Sequence, residues 1–208
     1  APVIPVIAIQ KLEHAVPLAE ALVAGGIMNL EVTLRTEHGL KAITLIRDQV
    51  KGANVGVGTV CNATEFDESV DAGANFVVSP GQSDALFERA LQTNIPFLPG
   101  AVTATEVMAA KDAGFNVLKF FPASTSGGAA AIKAFAGPFA DLQFVPTGGI
   151  NLDNAGSYLS LSNVRAVGGS WLTPADAIQD GHWEHIAQIA REASQLGAKL
   201  GEPLHGSG

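Results

Sequence analysis

The strongest constraint on this chain is an alternation: apolar runs of three to seven residues recur along it, with longer amphipathic stretches between them. Short apolar runs bounded by turn residues read as strands and the amphipathic stretches as helices. Their regular succession gives βα units with a parallel sheet. The candidate strands are residues 3–9, 29–34, 54–59, 76–79, 97–99, 116–120, 143–146 and 165–167, eight in all. Helix starts are signalled by Asn62 with Glu65 and by Thr103 with Glu106, the spacing at which side chains satisfy the free backbone donors of a first turn. Helix ends are signalled by Gly25-Gly26, Ala72-Gly73 and Ala113-Gly114, where a left-handed residue closes the last turn. Each unit is compact, about 20 to 30 residues. Eight such units predict an α/β fold of the (β/α)8 TIM barrel type, with a doubly wound open sheet as the alternative.

A chain of 208 residues with 47% hydrophobic content can enclose one sizeable core. Its 23 glycines and 11 prolines fall at segment boundaries rather than in a linker, so a single domain over residues 1–208 is expected, with a C-terminal helix from about residue 181. The formal charge of −8, with no basic cluster, argues against nucleic acid or an anionic membrane surface as a partner. A lone Cys61 has no internal disulfide partner and reads as an ordinary reduced thiol. No run approaches the roughly 20 apolar residues of a membrane span, and APVIPVIAIQ lacks the basic region of a signal peptide. A soluble, cytoplasmic protein is the expectation.

Against this background one strand is anomalous. FNVLKFFPA, residues 115–123, carries a lysine at the centre of an apolar run. Side chains alternate along a strand, so Val117, Lys119 and Phe121 share one face while Leu118 and Phe120 share the other. A buried ammonium is expensive unless it is paired or loses its proton. The other lysines, at 11, 41, 51, 111, 133 and 199, lie in polar or helical surroundings; Lys119 alone interrupts a strand.

The remaining polar positions fall where a parallel barrel would use them, near the carboxyl ends of its strands. Strand two, NLEVTLRT, puts Glu31 and Arg35 on the inward face with Asn29 and Thr33, a pair that by itself fits a structural ion pair equally well. Strand three, NVGVGTV, is expected to align Thr59 with an inward layer of Val55 and Val57. Ser79-Pro80-Gly81 and Pro99-Gly100 are turn signals first. Two glycine pairs, Gly148-Gly149 ahead of a helix near Asn151 and Gly168-Gly169 before Ser170, follow strands seven and eight, where barrels commonly hold phosphate.

An inward lysine with a glutamate, an arginine, a hydroxyl and an anion cradle suggests Schiff-base chemistry on a phosphorylated keto acid. For this the amine must be free to attack a carbonyl, which at neutral pH costs an ordinary lysine about 4 kcal/mol of ammonium stability. Hydrophobic neighbours and the nearby Arg35 would both push that way. The five histidines, at 14, 38, 182, 185 and 205, show no ligand cluster at strand ends, so neither metal nor cofactor is expected. Rival readings keep the fold and change the chemistry: a sugar-phosphate epimerase or similar non-imine barrel, or a non-enzymatic phosphometabolite binder.

The segments LEVTLRT, VGTV, SPG, LKFFPA, PTGGI and GGSW resemble, in order and spacing, the 2-keto-3-deoxy-6-phosphogluconate (KDPG) and 4-hydroxy-2-oxoglutarate (KHG) aldolases, over about residues 2–175. The resemblance implies a metal-free (β/α)8 barrel, usually a homotrimer, that cleaves KDPG to pyruvate and glyceraldehyde 3-phosphate in the Entner–Doudoroff route. It implies Lys119 as the Schiff-base residue and Glu31 as the general acid/base. Arg35 and Thr59 would hold the pyruvate carboxylate, Pro80 and Phe121 would shape its pocket, and Gly148, Gly149, Gly169 and Ser170 would hold the phosphate. Two features depart from the family pattern: PGAVTATE has Ala104 where a proline is usual, and the N-terminal helix common in the family is not seen before Pro2. Action on KHG, or on the galactonate epimer of KDPG, is left open by the residues alone.

Overall fold

The computed structural model describes residues 1–196. Strands and helices alternate as expected. The strands are β1 (Val3–Ile7), β2 (Asn29–Thr33), β3 (Asn54–Gly58), β4 (Val77–Val78), β5 (Phe97–Leu98), β6 (Val117–Phe120), β7 (Gln143–Pro146) and β8 (Val167–Gly169). Between them run α1 (Ala15–Ala24), α2 (Gly39–Gln49), α3 (Ala63–Asp71), α4 (Asp84–Leu91), α5 (Ala104–Asp112), α6 (Gly128–Phe135) and α7 (Leu152–Leu159). After β8 come α8 (Ala175–Gln179) and the predicted C-terminal helix, α9 (Trp183–Ser194). Residues 197–208, which include Lys199 and His205, lie outside the described part.

All strand pairings are parallel. One sheet runs β5-β4-β3-β2-β1-β8, and β6 pairs with β7. Short bridges extend the pairing on both sides of β6-β7: Gly100 to Lys119 after β5, and Thr147 to Gly168 before β8. Lys119 N donates to the Pro99 carbonyl and Ala101 N to the Lys119 carbonyl, each at 2.8 Å, which strengthens the first of these joints. A doubly wound sheet reverses its strand order beside β1. Here β1 instead lies between the second and last strands, the order of a sheet that curls on itself.

The helix boundaries follow the local chemistry. Asn62 accepts from Glu65 N, and Thr103 and Glu106 bond reciprocally, so both expected caps form. A second capping box, between Asn151 and Asn154, opens α7. Gly26, Gly73 and Gly114 take positive φ just past their helices, as the Gly signals required.

The outward faces of the strands meet the helices. Leu30, Val32, Leu118, Phe120 and Phe144 are each fully buried there, and the Phe120 ring packs edge-on against Phe135 and Phe144. Strand three corrects the sequence reading. Val55 and Val57 belong to this outer layer, and the inward positions are Gly56 and Gly58. The reason is space: a Cβ on Gly56 would lie 2.3 Å from the Phe76 ring, and one on Gly58 would lie 2.2 Å from Glu31 Oε1. At the amino ends of the strands a cavity of about 610 Å³ opens between Ile4, Phe76, Phe97, Leu98, Val117 and Val145.

Candidate active site

Two inward strand residues far apart in sequence meet at the centre of the fold. Lys119 Nζ donates to Glu31 Oε1 at 2.9 Å, with both side chains only 4% exposed. β6 delivers Lys119 and β2 delivers Glu31, each by simple alternation. The sequence reading expected an amine kept dry by hydrophobic neighbours, with Glu31 on the same inner wall and Arg35 nearby. The structure differs in that burial is compensated by a carboxylate, which also gives the amine's proton a place to go. Phe121, next on the same face, presents its ring to Nζ at 5.5 Å from the centroid.

Arg35 stands past the end of β2, exposed, beside a cavity of about 480 Å³ that it shares with Ser170, Lys11, His14 and Thr173. Among the described residues its guanidinium makes no ion pair. A planar fork of donors at a cavity wall suits a carboxylate. Ser170, just past β8, lines the same cavity.

Thr59 is the least ordinary residue of the site. It follows β3 with φ of 65°, the only non-glycine positive φ in the described chain. For a β-branched residue this is a strained conformation. The ladder to β4 shows its consequence: Val57 N bonds to Phe76 O, and then Val60 N rather than Thr59 N bonds to Val78 O. Thr59 is thus the extra residue of a bulge, which re-aims a side chain that simple alternation would send toward the helices. Pro80, in the loop after β4, is held by Gly100, on which a Cβ would lie 2.2 Å from the Pro80 carbonyl oxygen.

The glycine pairs divide. Gly148 and Gly149 are a loop pair with φ of 100° and 73°, as expected. Two of the N-terminal donors of α7 beyond them are already taken, however, because Asn151 Oδ1 accepts from Asp153 N and Asn154 N. Gly168 and Gly169 were expected in a turn but are buried residues of β8. They are small because Thr147 packs on Gly168 and the Trp171 ring packs on Gly169.

Two positions were missed from sequence. Thr147, 5% exposed and just past β7, lies on the inner face between the two glycine pairs. Its signal was the alternation Gln143, Val145, Thr147. Gly58, against Glu31, gave no signal distinct from any other strand glycine. Cys61 is exposed and its thiol is pushed up from the ordinary 9.0 by partial burial and then by Glu65, the reverse of an activated nucleophile. Among the described residues no group of three His, Cys, Asp or Glu side chains comes together, and no helix is long and apolar enough to cross a membrane.

A parallel α/β chain that buries a lysine against a carboxylate on the inner face of its sheet has the parts of an imine-forming enzyme, although neither residue lines the cavity that Arg35 and Ser170 share. The chain belongs to the KDPG and KHG aldolase family, whose model matches residues 1–189. It is 52% identical over 192 residues to the 2-dehydro-3-deoxy-phosphogluconate aldolase of Dickeya dadantii, covering 92% of this chain and 90% of that one. It is 50% identical to the KHG/KDPG aldolase of Escherichia coli, covering 96% and 93%. A crystal structure of the KDPG aldolase of Legionella pneumophila, with pyruvate captured as a covalent carbinolamine intermediate, superposes with a TM-score of 0.91 at 45% identity, covering 93% of this chain and 94% of that one. The chain is an aldolase, a carbon–carbon lyase.

Proposed function

We propose that this chain cleaves 2-dehydro-3-deoxy-6-phosphogluconate to pyruvate and glyceraldehyde 3-phosphate through an imine on Lys119, and that it also acts on 4-hydroxy-2-oxoglutarate. The observation that carries the reading is the 2.9 Å contact between the buried side chains of Lys119, through Nζ, and Glu31, through Oε1. The curled sheet is read as a closed, single-domain (β/α)8 barrel, supported by the bridges on both sides of β6-β7. A cytoplasmic homotrimer is the assembly that the family resemblance favours.

Glu31 takes the amine's proton, and the freed electron pair on Nζ attacks C2 of the keto acid. A proton shifts from the attacking nitrogen to the carbonyl oxygen, giving a neutral carbinolamine, and loss of its hydroxyl as water, with the proton returned from Glu31, leaves an iminium. Glu31, again a carboxylate, removes the C4 hydroxyl proton as the C3–C4 bond breaks. The bonding pair flows toward the iminium nitrogen, leaving an enamine and glyceraldehyde 3-phosphate. The proton on Glu31 passes to the enamine carbon, and water hydrolyses the resulting iminium to release pyruvate and Lys119. One carboxylate serves throughout because the transfers are sequential. Arg35 and Thr59 hold the carboxylate, Pro80 and Phe121 wall the pyruvate pocket, and Gly148, Gly149, Gly169 and Ser170 receive the phosphate.

Borohydride reduction in the presence of pyruvate tests this directly: the peptide containing Lys119 should carry one reduced pyruvate, and Lys119→Met should carry none. Absence of the adduct in the parent protein would sink the imine. Comparing steady-state rates on KDPG, its C4 epimer and 4-hydroxy-2-oxoglutarate then ranks the substrates.

A further inference from the structure

We propose that Gly58 is a positioning residue for Glu31: the hydrogen in place of a side chain at this one strand position leaves the volume in which the catalytic carboxylate stands. The inference rests on the reading of Glu31 as the general acid/base.

A Cβ on Gly58 would lie 2.2 Å from Glu31 Oε1, 2.7 Å from its Cγ and 2.8 Å from its Cδ. Real contacts of this kind do not occur, so something must move. The backbone of Gly58 has little freedom to do so, because Thr33 is its register partner on β2 and Leu34 N donates to the Gly58 carbonyl at 3.0 Å. The carboxylate is the softer partner, and the oxygen nearest the new methyl group is Oε1, the one that accepts from Lys119 Nζ. Turning it away breaks the contact on which proton transfer depends. Glycine is not required here for its conformation: Gly58 is absent from the residues of positive φ, so alanine fits the backbone and fails only on space.

The test is Gly58→Ala, alone and combined with Glu31→Asp, with Glu31→Gln alongside. Loss of a positioned acid/base removes on the order of 100-fold from kcat. KM should change little, since Arg35 and Ser170 are untouched. Exchange of the pyruvate methyl protons with solvent should slow by the same factor while borohydride still labels Lys119. The shorter Asp leaves room for the methyl group, so the losses of Gly58→Ala and Glu31→Asp should combine to far less than their product. Full multiplication of the two losses, or parent-like exchange and kcat in Gly58→Ala, would overturn the proposal. Parent-like activity of Glu31→Gln would instead overturn the reading of Glu31. Should Gly58→Ala fold poorly, thermal midpoints in a Glu31→Ala background decide: the proposal expects the Gly58→Ala penalty to shrink there, and an undiminished penalty refutes it.

Discussion

Two pairs of polar side chains sit two residues apart along the inner face of β2. At its amino end Asn29 Oδ1 accepts from Asn54 Nδ2 at 2.7 Å, in an exposed setting beside the 610 Å³ cavity. One step further in, Glu31 accepts from Lys119 at 2.9 Å in the interior. The geometries are nearly the same and the consequences are not. A neutral, solvent-exposed hydrogen bond exchanges with water and contributes little. A buried ion pair has lost its water on both sides, so each charge depends on the other. The two cavities do not differ in this way: the larger one, at the amino ends of the strands, has Asn29, Asn54, Asn116 and Arg165 on its walls, and the smaller one, at the carboxyl ends, has Arg35 and Ser170.

The comparison breaks most sharply at the buried pair. Glu31→Ala leaves an unpaired ammonium inside and should cost about 3–5 kcal/mol, read from urea unfolding, along with nearly all activity. Removing both charges with Glu31→Leu and Lys119→Met should return stability to within about 1 kcal/mol of the parent while leaving no turnover. Arg35→Lys probes the exposed end of the same strand. It should raise KM about 10-fold or more, because an ammonium does not reproduce the fork, and shift the unfolding midpoint hardly at all.

Thr59→Gly separates strain from function. Relieving a left-handed β-branched residue should add about 1 kcal/mol of stability, while competition by pyruvate weakens through loss of the hydroxyl. Away from the site, Thr103→Ala should cost about 1 kcal/mol by removing half of a capping box. The companion Glu106 carboxyl is held below its ordinary 4.5 chiefly by the Val102 N–H. Its contribution is therefore complete above pH 4.5 and lost as the pH falls through the lowered value, so parent and Glu106→Gln should converge in stability in acid. Asn54→Ala should be the smallest effect, within about 0.5 kcal/mol and with kcat unchanged.

Much of this was legible in the residues. Lys119 was conspicuous because a charge in an apolar strand has few physical excuses, and Glu31 was placed on the right face by alternation. The caps at Asn62 and Thr103 were readable because they depend only on neighbours three residues away. Strand three misled for the opposite reason. In NVGVGTV either valine or glycine can face inward, and the choice depends on Phe76 and Glu31, which arrive from neighbouring strands. Thr59 was assigned to the site, yet its alternation argument failed, since the bulge that re-aims it exists only in the ladder to β4. Gly168 and Gly169 looked like a turn because glycine pairs usually are; only the packing of Thr147 and Trp171 shows them to be strand.

By itself the sequence determined what is local or periodic: the run of βα units, the helix ends, the face on which each strand residue falls relative to its neighbours, and the single lysine that needs an explanation. The tertiary structure decided which face is inner, that the charge of Lys119 is met by a carboxylate 88 residues away, and how closely Gly58 must approach that carboxylate. Periodicity is carried by the chain's own covalent spacing. A close contact between strands is fixed only when the whole sheet has curled and volume has become scarce.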